Sequence, residues 1–241
     1  MNAVTRSAAL AAYADESAGC MRCRLAETRS RVVFGSGNPD AELMIVGEAP
    51  GYHEDQGGLA FAGQAGELLA QLLAGIGLTP ESVYLANVLK CRPPQNRDPL
   101  DAEIAACEPH LFRQIELVRP RVVATLGNFA TKLLSGRSFG ITRVHGQEQE
   151  VTLASTTVLL YPLYHPAAAL YTPSMLKALE DDFSRLPALL GQPAATPIAR
   201  PLGGSLPDDA TGATIDEHER VDVESTLVGV GQPGAVQLGL F

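Results

Sequence analysis

Four short apolar runs, each followed by a stretch with three- and four-residue apolar spacing, constrain the fold of this chain more than any other feature. The runs lie at residues 43–46, 83–89, 122–126 and 157–160, and the helix-like stretches at 65–73, 100–117, 129–134 and 175–189. Runs without polar alternation suit strands covered on both faces, and helical connections between them carry the chain back so that the strands lie parallel. The expectation is an α/β fold of three layers, α/β/α, around a central, mostly parallel four-stranded sheet. In such a sheet the ligand cleft lies beyond the carboxyl ends of the strands, here in the loops that follow Val46, Asn87 and Tyr161.

The pattern stops near Leu190, and the chain divides there into a body, residues 1–190, and a tail, residues 191–241. Residues 191–235 are rich in Gly, Pro, Ala, Asp and Glu with little apolar periodicity, a composition that predicts a flexible, disordered linker. The tail also distorts the net charge. Of the formal −9, seven acidic against two basic residues fall from Gln192 onward, so the body carries only 16 basic against 20 acidic residues. A mildly acidic body can hold a polyanion if its cations gather at one mouth, for which Lys90, Arg92, Arg97 and Arg143 are the candidates. No run approaches the ~20 apolar residues of a membrane span, and residues 1–14 lack the apolar core of an export signal. A cytoplasmic monomer with no membrane partner is therefore expected.

All four cysteines sit in the body, Cys20 and Cys23 as a C-x2-C pair and Cys91 and Cys107 further on. A pair two residues apart turns both sulfurs to one side, and two more complete a tetrathiolate site. Four unrelated buried thiols are the alternative, and disulfides fit less well without an export signal. The spacing leaves zinc and iron-sulfur both open.

Two loops at the expected cleft carry chemistry-bearing residues. The first run leads into GEAPGYHED at 47–55, a sharp Gly/Pro turn that displays backbone N–H groups and sets Glu48 at the mouth; Phe61, Gly63 and Gly66 follow. The fourth run leads to His165 and Pro166, then an apolar stretch ending at Leu170. With Asn87 at the end of another run, one cleft would hold a carboxylate, an amide and an imidazole.

Together, GEAPGYHED at 47–55, LANVLKCRPPQNRDPL at 85–100, HPAAAL at 165–170 and the four cysteine positions resemble the family 4, iron-sulfur uracil-DNA glycosylases. The resemblance spans roughly residues 20–190. It implies a [4Fe-4S] cluster on Cys20, Cys23, Cys91 and Cys107, uracil-containing DNA as substrate, and base excision repair as the setting. It also implies a uracil site of Ala49, Phe61, Asn87 and His165, with Phe61 stacking on the extruded base and Asn87 reading its edge. Glycosidic cleavage leaves negative charge on uracil and positive charge on the sugar. His165 is expected to donate to a uracil carbonyl, and Glu48 to face the sugar and orient water. Glu54 and Asp55 are further carboxylates near that water, Arg92 and Arg97 are DNA-contact candidates, and Leu170 is a candidate wedge for the gap left by the flipped base. A branch of the superfamily trapped covalently on DNA carries an inserted basic loop with a nucleophilic His; residues 92–100 have neither, so turnover is expected. His145 is expected to be a surface loop residue.

Two rival functions remain at the level of sequence: a glycosylase-like module that binds damaged DNA without cutting it, and an electron-transfer protein built on the cluster. Intact Glu48, Asn87 and His165 oppose the first, and cysteines scattered without a partner-cofactor motif oppose the second. The final residues, Gln237, Leu238, Gly239, Leu240 and Phe241, resemble the short peptide by which bacterial repair and replication proteins dock on the DNA sliding clamp.

Overall fold

The computed structural model describes residues 2–191; the linker and terminal peptide lie outside the described residues. Helix α1, Ala3–Ala18, opens the chain, its first turn capped by the Asn2 side chain, which accepts from Thr5 N. After a single 3-10 turn at Arg24–Glu27 come β1 (Ser36–Gly37), β2 (Leu43–Gly47), α2 (Tyr52–Gly57), α3 (Gln64–Gly75) and β3 (Tyr84–Asn87). Then follow a short turn at Pro94–Asn96, α4 (Asp101–Val118), β4 (Val122–Leu126), α5 (Gly127–Ser135) and α6 (Ile141–Val144). Strands β5 (Gln149–Leu153) and β6 (Thr156–Leu163), then α7 (Pro166–Ala169) and α8 (Pro173–Gly191), complete the described chain.

The sheet has six strands in the order β1-β3-β2-β4-β6-β5 rather than the expected four. The four expected strands form its parallel centre, β3-β2-β4-β6, and the two others pair antiparallel at its edges. Neither edge strand carries an apolar run: β1 is two residues, and β5, with sequence QEVTL, is half-buried except at Leu153. An edge covered on one side does not need continuous apolar sequence, which is why periodicity missed both. Strand β6 also runs through Pro162. Pairing with β5 ends at Leu160, so no ladder bond is lost to the missing N–H there.

Alternation along β2 shows how the layers form. Met44 and Val46 face a core shared with Leu10 of α1, Leu111 and Ile115 of α4 and Leu134 of α5, while Leu43 and Ile45 face one shared with Leu69 and Leu73 of α3 and Leu179, Phe183 and Leu186 of α8. Both faces of the central strands are thus buried. The carboxyl ends of β2, β3 and β6 are left together at one rim.

Candidate active site

The rim loops stay paired beyond the strands: Val88 N donates to Gly47 O and Leu89 N to Glu48 O, each at 2.9 Å. This holds Asn87 beside Gly47, and Gly47 is where the cleft is tightest. A Cβ there would lie 2.4 Å from Asn87 Oδ1 and 2.8 Å from Phe61 Cζ, so only glycine lets the amide and the ring close on the same backbone. Phe61 sits in the left-handed region (φ 58°), costly for a bulky side chain. Gly66 holds it there, its α-carbon so close that a Cβ would fall 1.7 Å from the Phe61 carbonyl oxygen.

Asn87 is 4% exposed, and its amide makes no hydrogen bond among the described residues. The side-chain amide atoms are nonetheless not sealed from solvent, which leaves the N–H and C=O groups open to a ligand at the rim. The Asn87 backbone carbonyl accepts from Lys90 Nζ at 2.8 Å. Lys90 is not the mouth cation that the sequence suggested. At 2% exposed it lies within the fold, also donating to Gln114 Oε1, and burial pulls its pKa down to about 8 against the opposing pull of Cys107 and Cys91.

His165 is the N-cap of α7, and its Nδ1 accepts from Ala167 N at 3.1 Å. A ring nitrogen that accepts carries no proton, so the neutral imidazole is fixed as the tautomer with Nε2–H free to donate. Burial lowers the His165 pKa to about 4, which keeps the ring neutral at physiological pH. The Phe61 and His165 rings stack at 6.4 Å between centroids and 25° between planes. Glu48 and Ala49, both half-buried, leave β2 at the same rim. The Glu48 carboxyl has no hydrogen bond or ion pair among the described residues; burial first, and then Asp98, raise its pKa to about 7.

The other sequence candidates separate. The Glu54 carboxylate lies against Gly51, where a Cβ would meet Oε2 at 2.8 Å, and so braces its own loop. Asp55, 3% exposed, accepts from Ser30 N at 2.9 and 3.1 Å, fastening that loop to the segment before β1. Arg97 is held in a two-pronged pair by the buried Glu103, at 2.9 and 2.6 Å. Arg92 donates through Nε to Asn96 Oδ1 and lies over the Tyr52 ring. Leu170 is 37% exposed at the end of α7, and the sequence reading missed its neighbour Tyr171, which is 79% exposed. Exposure of a single aromatic leaves no trace in periodicity. His145 is not a free loop residue: its Nδ1 pairs with Asp182 Oδ2 at 2.8 Å and its ring packs 4.4 Å from that of Tyr164. Arg143 stays exposed, over the Phe139 ring.

All four cysteines line one pocket with Arg22, Arg29, Lys90 and His110. Among the described residues no three of the metal-binding side chains stand close enough to hold a single ion. N–H groups face three of the sulfurs: Arg29 Nη1 to Cys91 at 3.5 Å, Lys90 N to Cys107 at 3.2 Å, and His110 Nε2 to Cys20 at 3.3 Å. Tyr13 Oη, 2.7 Å from Nδ1 of His110, can donate there and leave Nε2–H for the sulfur. Burial pushes the Cys91 thiol up to about 11 and raises Cys107 as well.

Comparison with known proteins agrees with this arrangement. The sequence model of the Uracil DNA glycosylase superfamily matches residues 34–186. Type-4 uracil-DNA glycosylases of Sulfurisphaera tokodaii, Saccharolobus solfataricus and Archaeoglobus fulgidus are 43%, 44% and 43% identical to this chain, over 88%, 76% and 75% of it and 96%, 87% and 93% of their own lengths. Matched by the family model over residues 34–186 and by these relatives over three quarters or more of its length, the chain belongs to the uracil DNA glycosylase superfamily and, within it, to the type-4 uracil-DNA glycosylases.

Proposed function

We propose that this cleft takes uracil flipped out of DNA and hydrolyses its N-glycosidic bond, the opening step of base excision repair. The observation that carries the reading is the junction at Gly47, where an unpartnered amide open to the cleft and an aromatic ring meet with the neutral His165 imidazole stacked beyond. A base inside the duplex cannot reach such a site, so extrusion comes first. Phe61 stacks on the base beside Ala49, and the Asn87 amide donates to O4 and accepts from N3–H. Cytosine presents the opposite pattern and would leave both partners unpaired.

As the C1′–N1 bond breaks, its electron pair stays with uracil, and the Nε2–H of His165 stabilises the charge forming on the carbonyl oxygen. The ionised Glu48 faces the positive sugar and orients the water, whose oxygen bonds to C1′ while its proton passes to the carboxylate. Leu170 fills the space that the base vacates, with the sugar-phosphate backbone left intact. The four thiols suit a [4Fe-4S] cluster: Cys91 and Cys107, buried and resistant to ionisation, need a metal centre to hold them as thiolates, and the N–H groups facing Cys20, Cys91 and Cys107 favour that charge. Cys20, Cys23, Cys91 and Cys107 would hold such a cluster, and its binding there would tie the segment after α1 to the β3–α4 loop and to α4. Gln237, Leu238, Leu240 and Phe241 serve as a docking peptide for a sliding clamp, and the enzyme works as a cytoplasmic monomer; no helix of the described residues is long and apolar enough to cross a membrane.

Incubation with a single-uracil oligonucleotide should release more free uracil than there is enzyme, leave an alkali-labile site, and spare the matching thymine strand. Protein purified without oxygen should carry about four irons per chain. Tight binding without release would instead identify a damage-binding module, and one zinc per chain would remove the cluster.

A further inference from the structure

The loop between β3 and α4 contains two arginines, and the structure treats them oppositely. Arg97 is neutralised by Glu103, which is itself 2% exposed. Arg92 is fixed at its Nε and on its face, by Asn96 Oδ1 at 2.6 Å and by the Tyr52 ring, with its carbon 5.2 Å from the centroid. Its two terminal nitrogens have no partner among the described residues. An arginine immobilised at one end with its fork left open is arranged to receive an anion.

The backbone that makes this arrangement is strained. Gln95 and Asn96 are consecutive non-glycine residues in the left-handed region, at φ 57° and 53°. Such a pair costs free energy that nothing in the packing of the exposed Gln95 recovers, and what the turn accomplishes is to bring Asn96 Oδ1 back onto Arg92. Tyr52 contributes from the neighbouring loop; it is 54% exposed, its position set by the start of α2. Two residues beyond Asn96, Asp98 lies close enough to act on the Glu48 carboxyl, so the same loop comes near the rim.

We infer that Tyr52, Asn96 and the strained Gln95–Asn96 turn hold Arg92 as a preformed clamp for one phosphate of the DNA strand beside the flipped nucleotide. Arg92 is the residue that touches DNA; Tyr52 and Asn96 are positioning residues. The inference rests on the uracil-excising reading of the cleft, and it assigns the phosphate contact to Arg92 and not to Arg97.

The test uses the full-length holoenzyme and a labelled uracil duplex in which each phosphate flanking uracil is replaced in turn by an uncharged methylphosphonate. Uracil release by wild-type enzyme on the unmodified duplex checks the underlying reading separately. One replacement should weaken wild-type binding about tenfold, and the same replacement should not weaken Arg92→Gln further. The slope of log affinity against log salt should fall by about 0.9 in Arg92→Gln. Tyr52→Ala and Asn96→Gly, the latter relieving the backbone while removing the acceptor, should each raise KM several-fold with little change in kcat, and Tyr52→Phe should behave as wild type. The clamp is overturned if no single replacement weakens wild-type binding more than twofold, or if Arg92→Gln loses affinity equally for every modified duplex. The first criterion needs no variant to fold.

Discussion

Glu48 and His165 are both half-buried at the rim, yet loss of solvent moves their protonation in opposite senses, and the two outcomes suit one reaction. His165 stays neutral down to about pH 4, so its donor does not change through the physiological range. Glu48 titrates near 7 and must be ionised to face a cationic sugar. The single-turnover rate should therefore rise with pH through about 7 and level off above it. Glu48→Gln should flatten that limb and lower the plateau by about a hundredfold or more. Stability should move the other way. A carboxyl whose folded pKa exceeds its unfolded value stabilises the fold fully below about 4.5 and loses that contribution as pH rises through 7, so at pH 8 Glu48→Gln should melt higher, by an amount on the order of 1–2 kcal/mol once solvent screening is allowed for. Melting curves at pH 5 and pH 8 check the sign; a variant less stable than wild type at pH 8 would show that ionised Glu48 has a partner. The identities of Glu48, Asn87 and His165 as rim residues were legible because each stands near or just beyond the carboxyl end of an apolar run. The fates of Lys90, Arg97 and His145 were not, since each depends on a partner on another element: Gln114, Glu103 and Asp182.

At the scale of elements, the parallel centre of the sheet could be read from sequence because strands buried on both faces must be apolar throughout; β4 matches its run residue for residue. Edge strands β1 and β5 carry no such requirement. Helix α1 escaped notice because Leu10 and Ser17 are its only buried residues, too sparse a set to mark a face. The short α2 was hidden in the turn that contains the acidic residues. What the sequence could not convey is closeness of approach, and the two rim glycines separate its consequences. In Gly47→Ala the new Cβ meets side-chain atoms of Asn87 and Phe61, which can swing away at the expense of the site. In Gly66→Ala it meets the Phe61 backbone carbonyl, which cannot. Gly47→Ala should therefore lower kcat/KM about a hundredfold with only a modest fall in melting temperature, whereas Gly66→Ala should destabilise the fold by ~2 kcal/mol or more as well. Single-turnover kinetics and thermal melts on the same preparations distinguish them; equal loss of stability in both would mean that Gly47 is a packing residue.

For the whole molecule, the acidic net charge and a DNA substrate are reconciled by position. Much of the negative surplus lies beyond Gln192, while clamped Arg92 and exposed Arg143 belong to the body. The terminal peptide has its own logic. On the proposed clamp, Gln237 would hydrogen-bond at one pocket while Leu240 and Phe241 would fill an apolar one, with Gly239 between the anchors. The composition of residues 191–235 predicts a tether, and a tether converts docking on a clamp into a raised local concentration of enzyme at nearby DNA without any new contact at the active site. Deleting residues 237–241 should therefore leave uracil release from a short oligonucleotide unchanged and abolish binding to a bacterial sliding clamp in a pull-down or by calorimetry. On clamp-loaded circular DNA the truncated enzyme should lose the acceleration that the full-length enzyme gains, and adding the free pentapeptide in excess should impose the same loss on the full-length chain. Equal clamp binding by the truncated and full-length proteins, or none by either, would assign the peptide another role.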